Sequence, residues 1–198
     1  MARFFDREYL GTPVWEIEAP QPEVVRLEAE GEILGRVLDV GCGTALNSIH
    51  LADAGHEVVG VDIAPNAIRR AEARRPSGSE NPRFVVASAL ELPDLGGPFD
   101  TVLDSGVFHT FLDPHRPLYS TALHRTLVPG GRLFVLVFSE EEPTDWGGPR
   151  RVSREELRAT FADGWRERWI RPARYSVRLP GVAGRAWLAA FDRSHGAG

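Results

Sequence analysis

Two short segments, Val37-Leu-Asp-Val-Gly-Cys-Gly43 and Val58-Val-Gly-Val-Asp62, restrict what this chain can fold into more than anything else in it. The first is an apolar strand that breaks into a Gly-x-Gly turn. The second is an apolar strand that ends on a carboxylate. Residues 44–55 between them predict a helix, with Thr44 as its N-cap and Gly55 as its stop. Strand, glycine turn, helix and acid-capped strand together make half of a nucleoside-binding site. The glycines let a ligand approach the backbone closely, and Asp62 can accept hydrogen bonds from two ribose hydroxyls.

The alternation continues to the end of the chain. Pro22 opens a helix over 23–31, and further helices are expected at 65–75, at 114–128 and from the capping box Ser153-Arg-Glu-Glu156 to about residue 162. Strands are expected at 36–40, 57–62, 84–87, 99–104 and 132–138, the last apolar enough for a buried central strand. Two final strands, 165–177 and 186–191, are joined by a Pro-Gly turn and read as an antiparallel edge hairpin. The expected fold class is therefore α/β: a Rossmann-like, mostly parallel seven-stranded sheet with an antiparallel edge hairpin and helices on both faces. Residues 1–22 read as irregular and carry Phe4, Phe5, Tyr9 and Trp15. Residues 139–152 read as a turn-rich loop.

The 198 residues suit one domain, which at this size buries roughly 70% of its unfolded surface. The single cysteine, Cys42, excludes an internal disulfide and points to the cytoplasm. No apolar run approaches the ~20 residues of a membrane span, and the N-terminus lacks a signal-peptide core. The net charge of -5, with no clustered basic face, argues against nucleic acid as a partner. All 23 basic residues are arginine, which excludes lysine nucleophiles and Schiff bases. Cys42 has no second cysteine or positioned base beside it and reads as a small side chain filling a tight turn. No spacing of His, Cys, Asp and Glu completes a metal site. A small molecule is the expected partner; the oligomeric state stays open.

The glycine turn alone does not name its ligand. A dinucleotide fingerprint needs a third glycine where this chain has Leu46, and Asp39 would repel a pyrophosphate. S-adenosylmethionine (SAM) carries an ammonium and a sulfonium, so the same carboxylate favours it. The ordered set Val37–Gly43, Val59-Gly-Val-Asp62, Phe99-Asp-Thr-Val-Leu-Asp104 and Leu127-Val-Pro-Gly-Gly-Arg-Leu133 resembles the class I SAM-dependent methyltransferases. Two departures stand out: Ala45 where a third glycine is usual, and Ser88-Ala-Leu90 where many relatives hold the adenine amine with an acid. The resemblance implies a cofactor site of Asp39, Gly41, Cys42, Gly43, Asp62, Ile63, Ser88, Ala89, Leu90, Asp104 and Ser105. Trp15-Glu-Ile-Glu-Ala-Pro-Gln-Pro22, Phe108-His109, Phe134–Phe138 and Arg171-Pro-Ala-Arg174 further resemble a small-molecule branch. That branch includes thiopurine S-methyltransferase-like proteins and actinobacterial benzoquinone or phenol methyltransferases. There the N-terminal segment folds over the cofactor, which implies the same for Trp15, Pro20 and Gln21.

Methyl transfer from a sulfonium is an in-line displacement in which the enzyme mostly aligns the partners. Residues at the carboxyl end of the fourth strand face the crevice of an open sheet. Here His109 is the candidate general base, with a hydrogen-bonded structural histidine as the alternative reading. Phe108 and Phe111 are expected to wall an acceptor pocket, under a cover made of residues 1–22 and a lid of residues 139–152 that offers Trp146 as a stacking surface. The expectation is O-, S- or N-methylation of a small aromatic or thiol acceptor. A SAM-binding protein without catalysis and an NAD(P)-dependent oxidoreductase are the alternatives.

Overall fold

The computed structural model describes residues 2–144, 148–178 and 183–194. Seven strands, β1 (Val37–Val40), β2 (Val58–Asp62), β3 (Arg83–Val86), β4 (Phe99–Ser105), β5 (Leu127–Phe138), β6 (Trp165–Ser176) and β7 (Ala183–Arg193), form one sheet in the order β3-β2-β1-β4-β5-β7-β6. The first five pair in parallel, while β7 runs antiparallel to both β5 and β6. The chain order reverses between β1 and β4, and their carboxyl ends meet there, with Val40 opposite Asp104. The turn between β6 and β7 lies outside the described residues.

Helices α2 (Pro22–Ala29) and α3 (Leu46–Asp53) serve one face. There Val24, Leu27 and Leu51 pack on Val37, Leu103, Phe134 and Leu136. Helices α5 (Arg116–Thr126) and α6 (Arg154–Thr160) serve the other, where Tyr119, Leu123, Leu157 and Phe161 pack on Leu38, Val102, Leu133 and Val135. Alternate residues of one strand thus feed opposite cores, which is why the strand sequences are continuously apolar. Helix α4 (Pro65–Arg74) lies beside β2 and β3, and Ile68 and Ala71 pack there with Phe84.

The structure departs from the sequence expectation in two places that matter for the site. Residues Ala2–Glu8 form a helix, α1, where irregular chain was expected. Its Asp6 carboxylate accepts the backbone N–H of Asn66 (2.7 Å), capping α4 from a distant part of the chain. A seven-residue helix is marginal alone, so this tertiary contact, not local propensity, accounts for it. Helix α3 starts at Leu46, not Thr44, because Ala45 takes a left-handed φ of 74°. An L-residue adopts that conformation at a cost of ~1–2 kcal/mol, and it is the position where the family usually has its third glycine. Thr44, freed from capping, donates its hydroxyl to Glu16 instead. The Ser153–Glu156 capping box forms as expected, with both reciprocal bonds made.

At the far edge, the twelve-residue β6 carries Arg166, Arg168, Arg171, Arg174 and Pro172. Arg168 pairs with Glu32 (3.3 Å) and Arg171 with Glu30 (3.2 Å), tying this strand to the end of α2.

Candidate active site

The glycine turn is held from beneath. The amides of Gly41 and Cys42 both donate to the carbonyl of Val61 at the end of β2 (2.7 and 3.0 Å). Gly41 has φ +68°, and a Cβ there would collide with the Val107 side chain, so both backbone and neighbour demand glycine. Gly43 donates its amide to Asp62 Oδ2 (3.0 Å), and Ala64 donates to Oδ1 (2.8 Å). Each oxygen keeps a further lone pair for a ligand hydroxyl. Burial raises the Asp62 pKa, while the amides of Ala64, Gly43 and Ile63 oppose that rise. Beyond Asp62 a tight turn follows β3. There Leu90 donates to Ser88 Oγ (3.2 Å) and Glu91 to the Ser88 carbonyl (3.1 Å). The Leu90 amide is spent inside this turn, while the structure assigns the Ala89 amide no such bond.

Asp39 lies one strand away, buried on the α3 face. Ser48 Oγ donates to its Oδ2 (2.5 Å), and its Oδ1 has no partner among the described residues. Burial is the main cause that pushes this carboxyl up to about 7; the Ser48 bond opposes the rise and the charges of Asp62 and Asp104 add to it. Cys42 is packed against Phe84, Ile68 and Ala71, and burial raises its thiol pKa well above the ordinary value.

The N-terminal segment closes over this corner. Phe5, Tyr9 and Trp15 pack edge to face with one another and on Ala64 and Ala67. Trp15 donates its indole N–H to Tyr9 Oη (3.1 Å). Tyr9 is the residue that reaches the turn: its hydroxyl would stand 2.9 Å from a Cβ on Gly43. Trp15, expected at the cofactor, is half-buried beside Tyr9. Glu16 is tied to Thr44 and lies 3.5 Å from the Arg74 guanidinium, which also donates to Thr44 Oγ1 (2.6 Å). Gln21 exchanges two bonds with the backbone of Ser176 on β6 (2.9 and 3.0 Å).

At the carboxyl end of β4 three expectations are corrected. Asp104 was expected to face the cofactor; its buried carboxylate instead takes the amides of Val107 (2.7 Å) and Phe108 (3.0 Å) and the Tyr119 hydroxyl (2.6 Å). It shapes the turn. Phe108 and Phe111 were expected to wall an acceptor pocket, yet both are core residues packed around Tyr119, with Phe161 also against Phe108. Their apolar surface is worth more buried on α5 and α6 than exposed to a crevice. His109 goes the other way. Its ring stacks on Phe138 (centroids 5.3 Å, 11° between planes) and lies 5.8 Å from Tyr175. Tyr175 donates its hydroxyl to the Ser105 carbonyl (3.2 Å), directly over Gly106, where any Cβ would strike it. Phe138 and Tyr175 were missed because they come from strands β5 and β6, far away in sequence. The loop that follows β5 is pinned at its base by Val152 donating to Phe138 (2.9 Å) and Glu140 donating to Val152 (3.1 Å). Trp146 lies outside the described residues.

Residues 37–131 match the family model described as a methyltransferase domain. The 2-heptyl-1-hydroxyquinolin-4(1H)-one methyltransferase of Mycobacteroides abscessus is 39% identical over 164 residues, covering 82% of this chain and 72% of that protein. This chain belongs to the SAM-dependent methyltransferases. A structure solved for the conversion of a disulfide bond into a thioacetal group during echinomycin biosynthesis superposes with a TM-score of 0.87 at 34% identity, over 100% of this chain and 94% of the other. The Burkholderia thailandensis 1,6-didemethyltoxoflavin-N1-methyltransferase, solved with S-adenosylhomocysteine, shares the fold (TM-score 0.75, 24% identity, 98% and 87% covered).

The methyltransferase's own residues fit SAM. The turn accepts no Cβ at Gly41 or Gly43, Asp62 offers lone pairs at the end of β2, and the orphaned Oδ1 of Asp39 is the buried anion that an ammonium would satisfy. A pyrophosphate would be repelled by the Asp39 carboxylate. His109 has an assigned protonation state: Nδ1 accepts the Phe138 N–H (3.3 Å), so the proton of the neutral ring sits on Nε2. Burial, helped by the charge of Arg151, lowers its pKa to about 3. Among the described residues no cluster of three or more His, Cys, Asp or Glu could hold a metal ion, and no helix is long and apolar enough to cross a membrane.

Proposed function

We propose that this methyltransferase methylates a small aromatic or thiol acceptor bound beside the His109–Phe138–Tyr175 cluster, and that the whole chain is one domain devoted to that task. The observation that carries the reading is this cluster's position. The rings of His109, Phe138 and Tyr175 gather beyond the end of β4, with the Tyr175 hydroxyl over Gly106, next to the strand reversal. A flat acceptor would stack along the edge of this cluster, whose rings are themselves largely buried. Two relatives support it by what their names state: one acts on a hydroxyquinolone, and another was solved for sulfur chemistry at a disulfide.

SAM, when bound, supplies an activated methyl group. Asp62 would receive the ribose hydroxyls, the 88–90 turn the adenine, and Asp39 the ammonium. Residues 1–22 form the cover, with Tyr9 as its contact and Glu16, Asp6 and Gln21 as its anchors. The described parts of the loop after β5, residues 139–144 and 148–152, would serve as the lid. Together they exclude water and hold the acceptor in line, which can be worth ~7–11 kcal/mol without any proton transfer. The buried lone thiol of Cys42 suits a reducing cytoplasm. Labelled SAM with a panel of phenols, quinols, thiols and hydroxy-heteroaromatics tests the reading. Label appearing in small molecules supports it; label appearing only in protein or nucleic acid refutes it.

A further inference from the structure

Resting on the cover assigned to residues 1–22, we infer that Gln21 is a positioning residue that joins this cover to the carboxyl end of β6, so that a cofactor held under the cover also fixes the segment carrying Tyr175.

β6 is an edge strand of the sheet. At its carboxyl end three successive outward amides are taken by the N-terminal segment. Arg174 donates to Glu23 Oε1 (3.3 Å), Ser176 to Gln21 Oε1 (3.0 Å) and Arg178 to the Val14 carbonyl (2.8 Å). Residues 174, 176 and 178 alternate, as amides on one side of an extended chain do. Gln21 also returns a bond, with its Nε2 donating to the Ser176 carbonyl (2.9 Å). A side-chain amide thus stands where a neighbouring strand would pair, and it is buried, at 4% exposure.

The same residue is tied to the cofactor cradle. Its backbone N–H donates to Asn47 Oδ1 (2.9 Å), in the first turn of α3 and two residues past Ala45. Glu16 lies in sequence between the Val14 and Gln21 ties. It accepts the Thr44 hydroxyl next to Gly43, the glycine that Tyr9 reaches. Pro20 and Pro22 flank Gln21, whose backbone is extended (φ -58°, ψ 129°), so the short run from Glu16 to Gln21 is a stiff connection. A cofactor that enters or leaves the cradle has to part Tyr9 and Glu16 from Gly43 and Thr44. That movement pulls on the β6 bonds on both sides of Glu16. The residue before Ser176 carries the effect onward: Tyr175 donates its hydroxyl to the Ser105 carbonyl (3.2 Å), over Gly106. Cradle, Gln21, β6 and the end of β4 thus form one run of hydrogen bonds on stiff elements, of the kind that couples separate parts of a site.

Amide hydrogen exchange of the full chain, with and without saturating S-adenosylhomocysteine, is the test. In the parent the ligand should slow exchange at residues 9–16 and at 174–178 together. Q21M keeps the bulk of the side chain and removes both of its bonds to Ser176. It should retain ligand protection at 9–16 and lose it at 174–178, where exchange without ligand should be about 2–12-fold faster for each net bond lost. A merely structural glutamine would leave the ligand-dependent difference at 174–178 in place, and that result overturns the inference. So does protection of 9–16 without 174–178 in the parent, which needs no variant, and so does loss of protection at both segments in Q21M. A parent whose residues 9–16 gain no protection overturns the cover reading as well.

Discussion

Binding of SAM or its demethylated product should release a proton from this enzyme, and the proton should come from Asp39. In the free protein burial pushes this carboxyl up to about 7, and its Oδ1 has no partner among the described residues. An ammonium placed against it favours the anion, so the proton leaves on binding. The amount follows from the free-protein value: about 0.9 proton at pH 6, 0.5 at pH 7 and 0.1 at pH 8. Affinity should accordingly fall about tenfold per unit below pH 7 and be level above it. The assay is titration calorimetry with S-adenosylhomocysteine in buffers of different ionisation enthalpy, where the slope of heat against buffer enthalpy counts protons. D39N should release none and bind at least ~30-fold more weakly, the equivalent of about 2 kcal/mol for a buried charge left unpaired. At pH 6 the ligand's own amine, with an ordinary pKa of about 8, is already protonated and adds no proton of its own. The same group acts on stability with a defined sign. Between about pH 4 and pH 7 the folded chain holds the proton and the unfolded chain does not, so free-protein stability falls as pH rises, by roughly 4 kcal/mol in all. Buffer-independent heats at pH 6, or equal proton release from D39N, would refute the reasoning.

Two further outcomes are expected. Tyr9→Phe strips the Trp15 indole of its acceptor (3.1 Å) at the point where the cover meets Gly43; product should dissociate about 2–12-fold faster in stopped-flow fluorescence, the range for one net hydrogen bond, and an unchanged rate would remove Tyr9 from the cover. Tyr119→Phe leaves Asp104 with backbone donors only and should lower stability to urea by ~1.5–3 kcal/mol. Because the Tyr119 bond holds down a carboxyl already raised to about 6, its loss favours the protonated form, and the destabilisation should be larger at pH 8 than at pH 5.

The sheet, its reversal point and the glycine cradle were legible from sequence because each rests on local signals: apolar runs of strand length, turn glycines and an acid at a strand end. The capping box at Ser153 was legible for the same reason. What escaped was set by distant parts of the chain. Helix α1 depends on Asp6 meeting the first turn of α4, and Thr44 left its expected N-cap role for Glu16 and Arg74. The aromatic run Phe108-His-Thr-Phe111 pointed to a pocket, but a 3₁₀ turn sends its phenylalanines into the core and its histidine toward β5 and β6. The rings that surround His109 are Phe138 and Tyr175, from strands β5 and β6, a meeting that no spacing rule reveals. Which ring nitrogen of His109 carries the proton depends on one backbone amide, that of Phe138, and is invisible before the fold exists.

The long outer strand β6 has a consequence for how this enzyme behaves in a crowded cell. An exposed strand of twelve residues is a template on which a second chain can pair and aggregate. Four arginines and Pro172 along it make such pairing costly, and the opposite edge, β3, is only four residues long. Removing charge there, as in a combined Arg171→Thr and Arg174→Val change, would be felt first as insolubility. The arginines along β6 thus guard an open sheet edge against pairing with another chain.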